Sequence, residues 1–412
     1  MGTVTTTRPG AEARVLALTS LAISLAFTTV LGLRTASIAK DPCFVRPWDH
    51  HKYLHMAQAP LGTFHVAPFC WRVGVPLLAK LLPLCAHVAF AALSFVTVWL
   101  TGALFFAIGR RRGSSNELGL VVMLLYFTLS YGAKTGLRWS YSPDAAVLLV
   151  VVLGLYLLLT RRDLLFAAVL ALGVLFKESA LFIAPLHYSL RARRLLDLRA
   201  LAAAAAAAAP ALLMLVAVRL LIPALNHDPT YVSGLPPELS LVHRGQTSYG
   251  YLAVLHDIGL PRLRSIGLDS LIAFTLRPFG ASLLLLAGVG LVRWPALALR
   301  LGPLVALSYL QLLFATDTER LLVLAAPALI FLATTGVQSV SRSLYLSPVS
   351  FAPPLLGLFA ALLLEPHTVA VPGWWHLLPL IIFGGFLLLR RVVPPGLVRI
   401  IGPADSGGYT PR

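Results

Sequence analysis

Residues 164–194 read LLFAAVLALGVLFKESALFIAPLHYSLRARR, an apolar run broken at its middle by Lys177-Glu178 and closed by a basic cluster at Arg191, Arg193 and Arg194. As a single membrane crossing, this run would put the cluster on the side opposite Arg110, Arg111 and Arg112 and opposite Arg161 and Arg162. That arrangement violates the bias of lysine and arginine toward the cytoplasmic face. Two short helices with Lys177-Glu178 at the apex remove the conflict. Each arm then has about 12 residues where a perpendicular crossing needs about 20, so the apex belongs at membrane depth, inside protein or a wet cavity. The spacing predicts a helical hairpin over 164–190.

The rest of the chain fits such a setting. Of 412 residues, 58% are hydrophobic and 12% charged, with a mean hydropathy of +0.83, far from the balance of a soluble globular protein. A net charge of +17 could suggest a nucleic-acid partner. The basic residues instead form short clusters between apolar runs, as loop anchors do, so the charge reads as topology and nucleic-acid binding is excluded. Hydropathy places spans near 15–33, 84–109, 117–133, 144–160, 200–222, 266–292, 301–316, 320–340, 349–365 and 374–392. With the hairpin, this predicts an all-α polytopic transmembrane protein of about 10–12 segments, forming a single integral membrane domain over 1–412. The first run is followed by SIAK but exceeds a typical signal-peptide core, and reads as a retained helix. The alanine run at 202–209 reads as a helix with a small-residue face, and no internal repeat is present.

Counting the hairpin as two segments puts the N-terminus, the clusters at 110–112, 161–162 and 191–194, and Arg300, Arg342, Arg390 and Arg391 on one side, which is therefore cytoplasmic along with the C-terminus. Only Glu12, Glu117, Asp163, Asp197 and Asp405 share it, so the other eleven of the sixteen acidic residues fall at or near the opposite face. Nine of the eleven histidines fall there too, His87 and His187 being the exceptions. Acidic residues contribute little to orientation, so this enrichment predicts a polar site on the extracytoplasmic face. Two long loops face that side, 34–83 and 223–265. Within the first, VGVPLLAKLLP reads as an interfacial amphipathic helix with Lys80 reaching lipid headgroups. The second is punctuated by glycine and proline and has the length of a substrate-covering loop.

In the first loop, WDHHKYLHMAQAPLGTFHVAPFCWRVGVPLLAKLLP, which begins at residue 48, carries Trp48-Asp49, Tyr53-Leu54, Ala57, Ala67-Pro68-Phe69, Arg72 and Pro76. This pattern resembles the first loop of polytopic GT-C-fold glycosyltransferases, in particular the dolichol-phosphate-mannose-dependent mannosyltransferases of the GPI pathway and their bacterial relatives. It departs from them where APLG replaces a Gly-Tyr and FCWRVGVP replaces a Phe-Pro-Leu-Tyr-Pro, which leaves sugar and acceptor open. The resemblance implies a GT-C-like fold and inverting transfer of a hexose or pentose, mannose being one candidate. The sugar would move from a polyprenyl-phosphate donor to an extracytoplasmic glycan, lipid or protein acceptor at a bacterial plasma membrane. Nucleotide sugars are cytoplasmic, so a site outside calls for a lipid donor. No cofactor is firmly implied, and a divalent metal stays open.

Such chemistry needs a carboxylate to take the acceptor proton and cations to hold the phosphate. The resemblance places the base at Asp49; a cap on the helix starting at His50 is the structural alternative, and one residue could serve both roles. Arg72, Lys52 and Arg46 are phosphate candidates, Arg72 foremost for its bidentate guanidinium, with snorkelling to lipid headgroups as the alternative for the others. His50, His51 and His55 form HHxxxH, able to place two imidazoles on one face. Without the glutamate of HExxH, contacts to lipid or substrate are the better reading, and no metal ligand is assigned. Tyr53 joins His50 and His51 as a substrate contact.

In RWSYSPDAA, at 138–146, Arg138 and Asp144 mark the next turn on the same face, with Arg138 a candidate substrate contact. Capping is the leading reading of Asp144, and the resemblance makes it a second catalytic carboxylate. The resemblance also assigns Lys177 to the donor phosphate and Glu178 to the substrate, against a structural ion pair between the two that closes the hairpin. In ATDTERLL, from residue 315, Arg320 is a phosphate candidate by the same resemblance. Asp317 and Glu319 are substrate contacts, or with Arg320 a cap and a local ion pair. Cys43 and Cys70 flank the polar stretch, and one disulfide between them is chemically allowed if the loop faces an oxidising compartment. A flippase or transporter of a lipid-linked or anionic substrate could use the same charges for binding alone, and a noncatalytic membrane-complex subunit would tolerate loss of Asp49.

Overall fold

The computed structural model describes residues 9–35, 50–60, 62–113, 115–129, 131–194, 196–224, 255–314, 318–364, 381, 384 and 385. Asp49, Arg46, Asp317 and Cys43, most of the 223–265 loop, most of the 374–392 span and the side chains of His50 and His51 lie outside the described residues.

Among the described residues all regular structure is helical. The α-helices are α1 (Pro9–Thr35), α2 (His50–Gln58), α3 (Gly74–Leu81), α4 (Ala86–Gly113), α5 (Asn116–Phe127), α6 (Ala133–Arg138), α7 (Asp144–Leu159), α8 (Asp163–Phe176), α9 (Ala184–Arg191) and α10 (Leu198–Leu221). They continue with α11 (Leu260–Ser265), α12 (Leu268–Arg293), α13 (Pro295–Leu310), α14 (Thr318–Leu322), α15 (Ala326–Ser343) and α16 (Ala352–Leu364). Among the described residues, six helices are long and apolar enough to cross a membrane: Arg14–Thr35, Ala86–Arg111, Leu198–Leu221, Leu268–Arg293, Pro295–Leu313 and Glu319–Ser343. The protein is thus an all-α, polytopic membrane protein.

Side-chain chemistry sorts these helices into an interior and an exterior. Helix α7 is apolar on every face, DAAVLLVVVLGLYLLL, and its valines and leucines are almost all buried, so it runs through the centre of the bundle. Helix α10 is as apolar but leaves Leu212, Leu213, Leu220 and Leu221 exposed, the surface a helix offers to hydrocarbon. Its start is set by Asp197, whose side chain accepts from Ala200 N at 3.1 Å. Helices α12 and α15 cross closely because both contacts are glycine. A Cβ on Gly336 would stand 2.0 Å from Leu286 O, and one on Gly290 2.1 Å from Leu332 O.

The 164–190 segment folds back on itself. Helix α8 ends at Phe176, Lys177 is extended, and a 3-10 turn over Glu178–Ile183 leads into α9. Arg191 at the end of α9 meets Asp163 at the start of α8 at 2.6 Å, so the arms are antiparallel. With 14 residues, α8 is about 21 Å long against roughly 30 Å of hydrocarbon.

Several boundaries differ from the hydropathy reading. The span expected at 117–133 stops at Phe127, where the Thr128 hydroxyl turns back onto Leu125 O, and the chain breaks before α6. The span expected at 301–316 begins six residues earlier, with Pro295 at the helix start, where its missing N–H costs nothing. Helix α12 is interrupted after Pro278 by Gly280, whose φ of 71° lies in the left-handed region. Lys80 does not extend freely toward headgroups: it donates to Ala59 O at 2.8 Å and holds α3 against the end of α2.

Candidate functional site

The hairpin tip is where distant parts of the chain meet. Gly74, at the start of α3, lies against the Phe176 ring, and a Cβ there would come within 2.4 Å of it, so only glycine lets the first loop settle onto the tip. Two residues before it, Arg72 closes a 3-10 turn over Phe69–Trp71. Its Nη2 and Nε reach Glu178 Oε1 and Oε2 at 2.5 and 3.1 Å, a bidentate pair. Nη1 donates to the Tyr53 hydroxyl at 3.4 Å. Burial works against charge on Arg72, yet Glu178 and Tyr53 beside it raise its pKa above the ordinary guanidinium value, so it stays charged.

Lys177 turns the other way. Its Nζ donates to Asp144 Oδ1 at 2.8 Å. Asp144 Oδ2 accepts from the Ser142 hydroxyl at 2.7 Å, and Arg320 Nε lies 2.9 Å from the same oxygen as an ion pair. One carboxylate at the head of α7 therefore holds two cations, one from the hairpin and one from α14. Arg72 and Arg320 are both near enough to act electrostatically on the Lys177 ammonium. Glu319 extends the array to α12 through Arg277, 3.0 Å away.

Aromatic rings line the cations. Lys52 Nζ sits 3.9 Å from the centre of the Phe69 ring, and the Arg72 guanidinium 5.6 Å from it. Arg320 stands 5.7 Å from the Trp139 ring. Asp144, Arg320, Trp139 and Ser142 share a crevice walled by Tyr131 and Thr135. Lys52, Arg72 and Lys177 are all buried.

The pairings differ from the local ones the sequence suggested. Lys177 and Glu178 do not pair with each other; each reaches a different part of the chain. Asp144 does not cap α7: the residue before the helix is Pro143, and the carboxylate is taken up by Lys177, Ser142 and Arg320. Arg320 pairs across the bundle rather than with its neighbour Glu319. Tyr53 is buried beneath Arg72. Arg138 ends α6, next to Tyr131. His55 packs toward the Phe64 ring. Among the described residues no group of three or more His, Cys, Asp or Glu side chains is placed to hold a metal ion.

Sequence reasoning took Phe69 only as part of the first-loop pattern and missed Trp139, Ser142, Arg277 and Trp71. Trp71 Nε1 donates to Ile222 O at 2.8 Å, and with the His65 ring nitrogen 2.9 Å from Pro223 O it straps the first loop to the end of α10. An aromatic residue close to a cation in the sequence, as in Phe69-Cys70-Trp71-Arg72 and Arg138-Trp139, was the available signal. Arg277 carried none.

No protein-family model and no curated protein sequence matches the chain.

Proposed function

We propose that this protein is a GT-C-like membrane glycosyltransferase that transfers a sugar from a polyprenyl-phosphate donor to an acceptor hydroxyl at the extracytoplasmic face. The observation that carries the reading is the meeting of Arg72, Lys177 and Arg320, from three separate segments, around Asp144 and Glu178 at one end of a membrane bundle. A phosphodiester headgroup at the hairpin tip would enter a pre-paired cationic array, and the hydrocarbon beside it accommodates a lipid chain.

In this reading the acceptor oxygen attacks the anomeric carbon as the bond to the phosphate oxygen breaks. The electron pair leaves with polyprenyl phosphate, and the configuration inverts. The acceptor proton passes to Asp49, the base by resemblance. Lys177, Arg72 and Arg320 offset the charge gathering on the departing phosphate. Both Asp144 oxygens are occupied by cations and a hydroxyl, so its role here is to position Lys177 and Arg320, and Glu178 does the same for Arg72.

The test is a transfer assay on the purified full chain in bilayers with a panel of polyprenyl-phosphate sugars, following release of polyprenyl phosphate. The reading predicts release with at least one donor, abolished by Asp49→Asn with donor binding retained. Unchanged release in the variant would remove the base assignment. Saturable binding without release for every donor would favour a transporter.

A further inference from the structure

At the end of the bundle away from the hairpin tip, below the Gly290–Gly336 crossing, α12 and α15 diverge around a crevice. Arg293 and Trp294 line it from the end of α12, and Gln338, Ser339, Arg342 and Ser343 from the last turns of α15. Arg342 and Gln338 also wall an adjoining groove that contains Glu117, whose carboxylate accepts from the Ser347 hydroxyl. Among the described residues no carboxylate pairs with Arg293 or Arg342. Two guanidiniums, an amide and the hydroxyls of Thr335, Ser339 and Ser343 thus line one opening.

Arginine in a last helical turn also complements the helix dipole, which accounts for one cation at each helix end. It does not account for two guanidiniums lining one polar crevice, where a single anion would meet both. The setting also matters. Arg161, Arg162, Arg191 and Arg300 lie at this same end, where Ser189 donates to Arg300 O at 2.5 Å and Arg300 donates to Leu190 O at 3.3 Å. Trp294, half exposed, follows directly on an apolar helix long enough to cross a membrane, and indoles favour such helix ends. Basic pockets between membrane helices are suited to phosphate-bearing headgroups.

We infer that this crevice is a binding site for a phosphate group, presented by an anionic membrane lipid or by free phosphate. It is independent of the hairpin-tip site. The guanidiniums of Arg293 and Arg342 take the phosphate oxygens, Gln338, Ser339 and Ser343 donate to those that remain, and Trp294 covers the glycerol end of a lipid.

The experiment is native mass spectrometry of the purified full chain with added phosphatidylglycerol or phosphatidylcholine, and with inorganic phosphate in a separate arm. It compares wild type, the double variant Arg293→Gln/Arg342→Gln, and Arg162→Gln, an exposed arginine at the same end outside the crevice. Both arginines of the double variant are exposed, so the fold should persist, and far-ultraviolet circular dichroism checks it. Retention of phosphatidylglycerol over phosphatidylcholine, weakened about thirtyfold in the double variant and little changed in Arg162→Gln, supports a lipid site. Saturable inorganic phosphate binding lost in the same variant, without lipid selectivity, supports the site with free phosphate as the source. Equal retention by wild type and double variant, or an equal loss in Arg162→Gln, overturns it.

Discussion

Arg72 and Glu178, 106 positions apart in sequence, are joined by two parallel contacts, Nη2 to Oε1 at 2.5 Å and Nε to Oε2 at 3.1 Å. The pair fastens the first loop to the tip of the α8–α9 hairpin. Both side chains are largely out of water, so removing one partner strands the other's charge. Arg72→Gln and Glu178→Gln should each lower stability by about 3–5 kcal/mol. The double variant should lose less than the sum of the two, with a coupling of about 0.5–3 kcal/mol read from thermal unfolding in detergent. Additive losses would mean that the two residues act independently.

Asp144 holds Lys177 and Arg320 at once, so Asp144→Asn should leave two neighbouring cations uncompensated. Greater loss of stability is expected from Asp144→Asn than from Lys177→Met, which leaves Arg320 as a partner for the carboxylate. Unfolding midpoints of the two variants in the same detergent check the order, and the reverse order would contradict the shared-carboxylate geometry.

The α12–α15 crossing depends on hydrogen in place of a side chain. Gly336→Ala would bring a methyl to about 2.0 Å from Leu286 O and should sharply reduce the yield of folded protein. Gly288→Ala, with nothing within 4 Å of the added carbon, should be neutral or stabilising by up to about 1 kcal/mol. Size-exclusion profiles of the two variants make the comparison.

Sidedness is open to chemistry at Cys85, which is exposed near the start of α4. In a Cys43→Ser/Cys70→Ser background, a membrane-impermeant maleimide should label Cys85 on intact cells. A cysteine replacing Arg162 should react only after permeabilisation. Labelling of both from the same side would contradict the topology.

How much of this was legible beforehand depended on the range of the forces involved. The break at Lys177-Glu178 was readable because charge inside an apolar run is costly wherever it sits, and the segment does turn there. The candidacy of Arg72, Lys177 and Arg320 could be drawn from resemblance and from their places at loop ends. Their partners could not, because sequence favours nearby pairing. Lys177-Glu178, or Glu319 with Arg320, looked self-sufficient until packing brought Asp144, Arg72 and Arg277 within reach. The span expected at 117–133 failed for a related reason: hydropathy continues through Leu129, while the backbone has already turned at Thr128. Phe69 and Trp139 stood near cations in the sequence, but which cation each ring lines is decided by packing: Trp139 follows Arg138 yet faces Arg320, and Phe69 takes Lys52.

The central claim, that the charged array at the hairpin tip holds a lipid-linked phosphate, is tested most directly by the affinity of the purified full chain in lipid nanodiscs for a polyprenyl monophosphate. Wild type should bind saturably. Arg320→Gln and Lys177→Met should each weaken binding by about tenfold or more, the loss of one charge-assisted contact, while Arg162→Gln at the opposite end leaves it unchanged. Equal affinity in all four proteins would contradict the account.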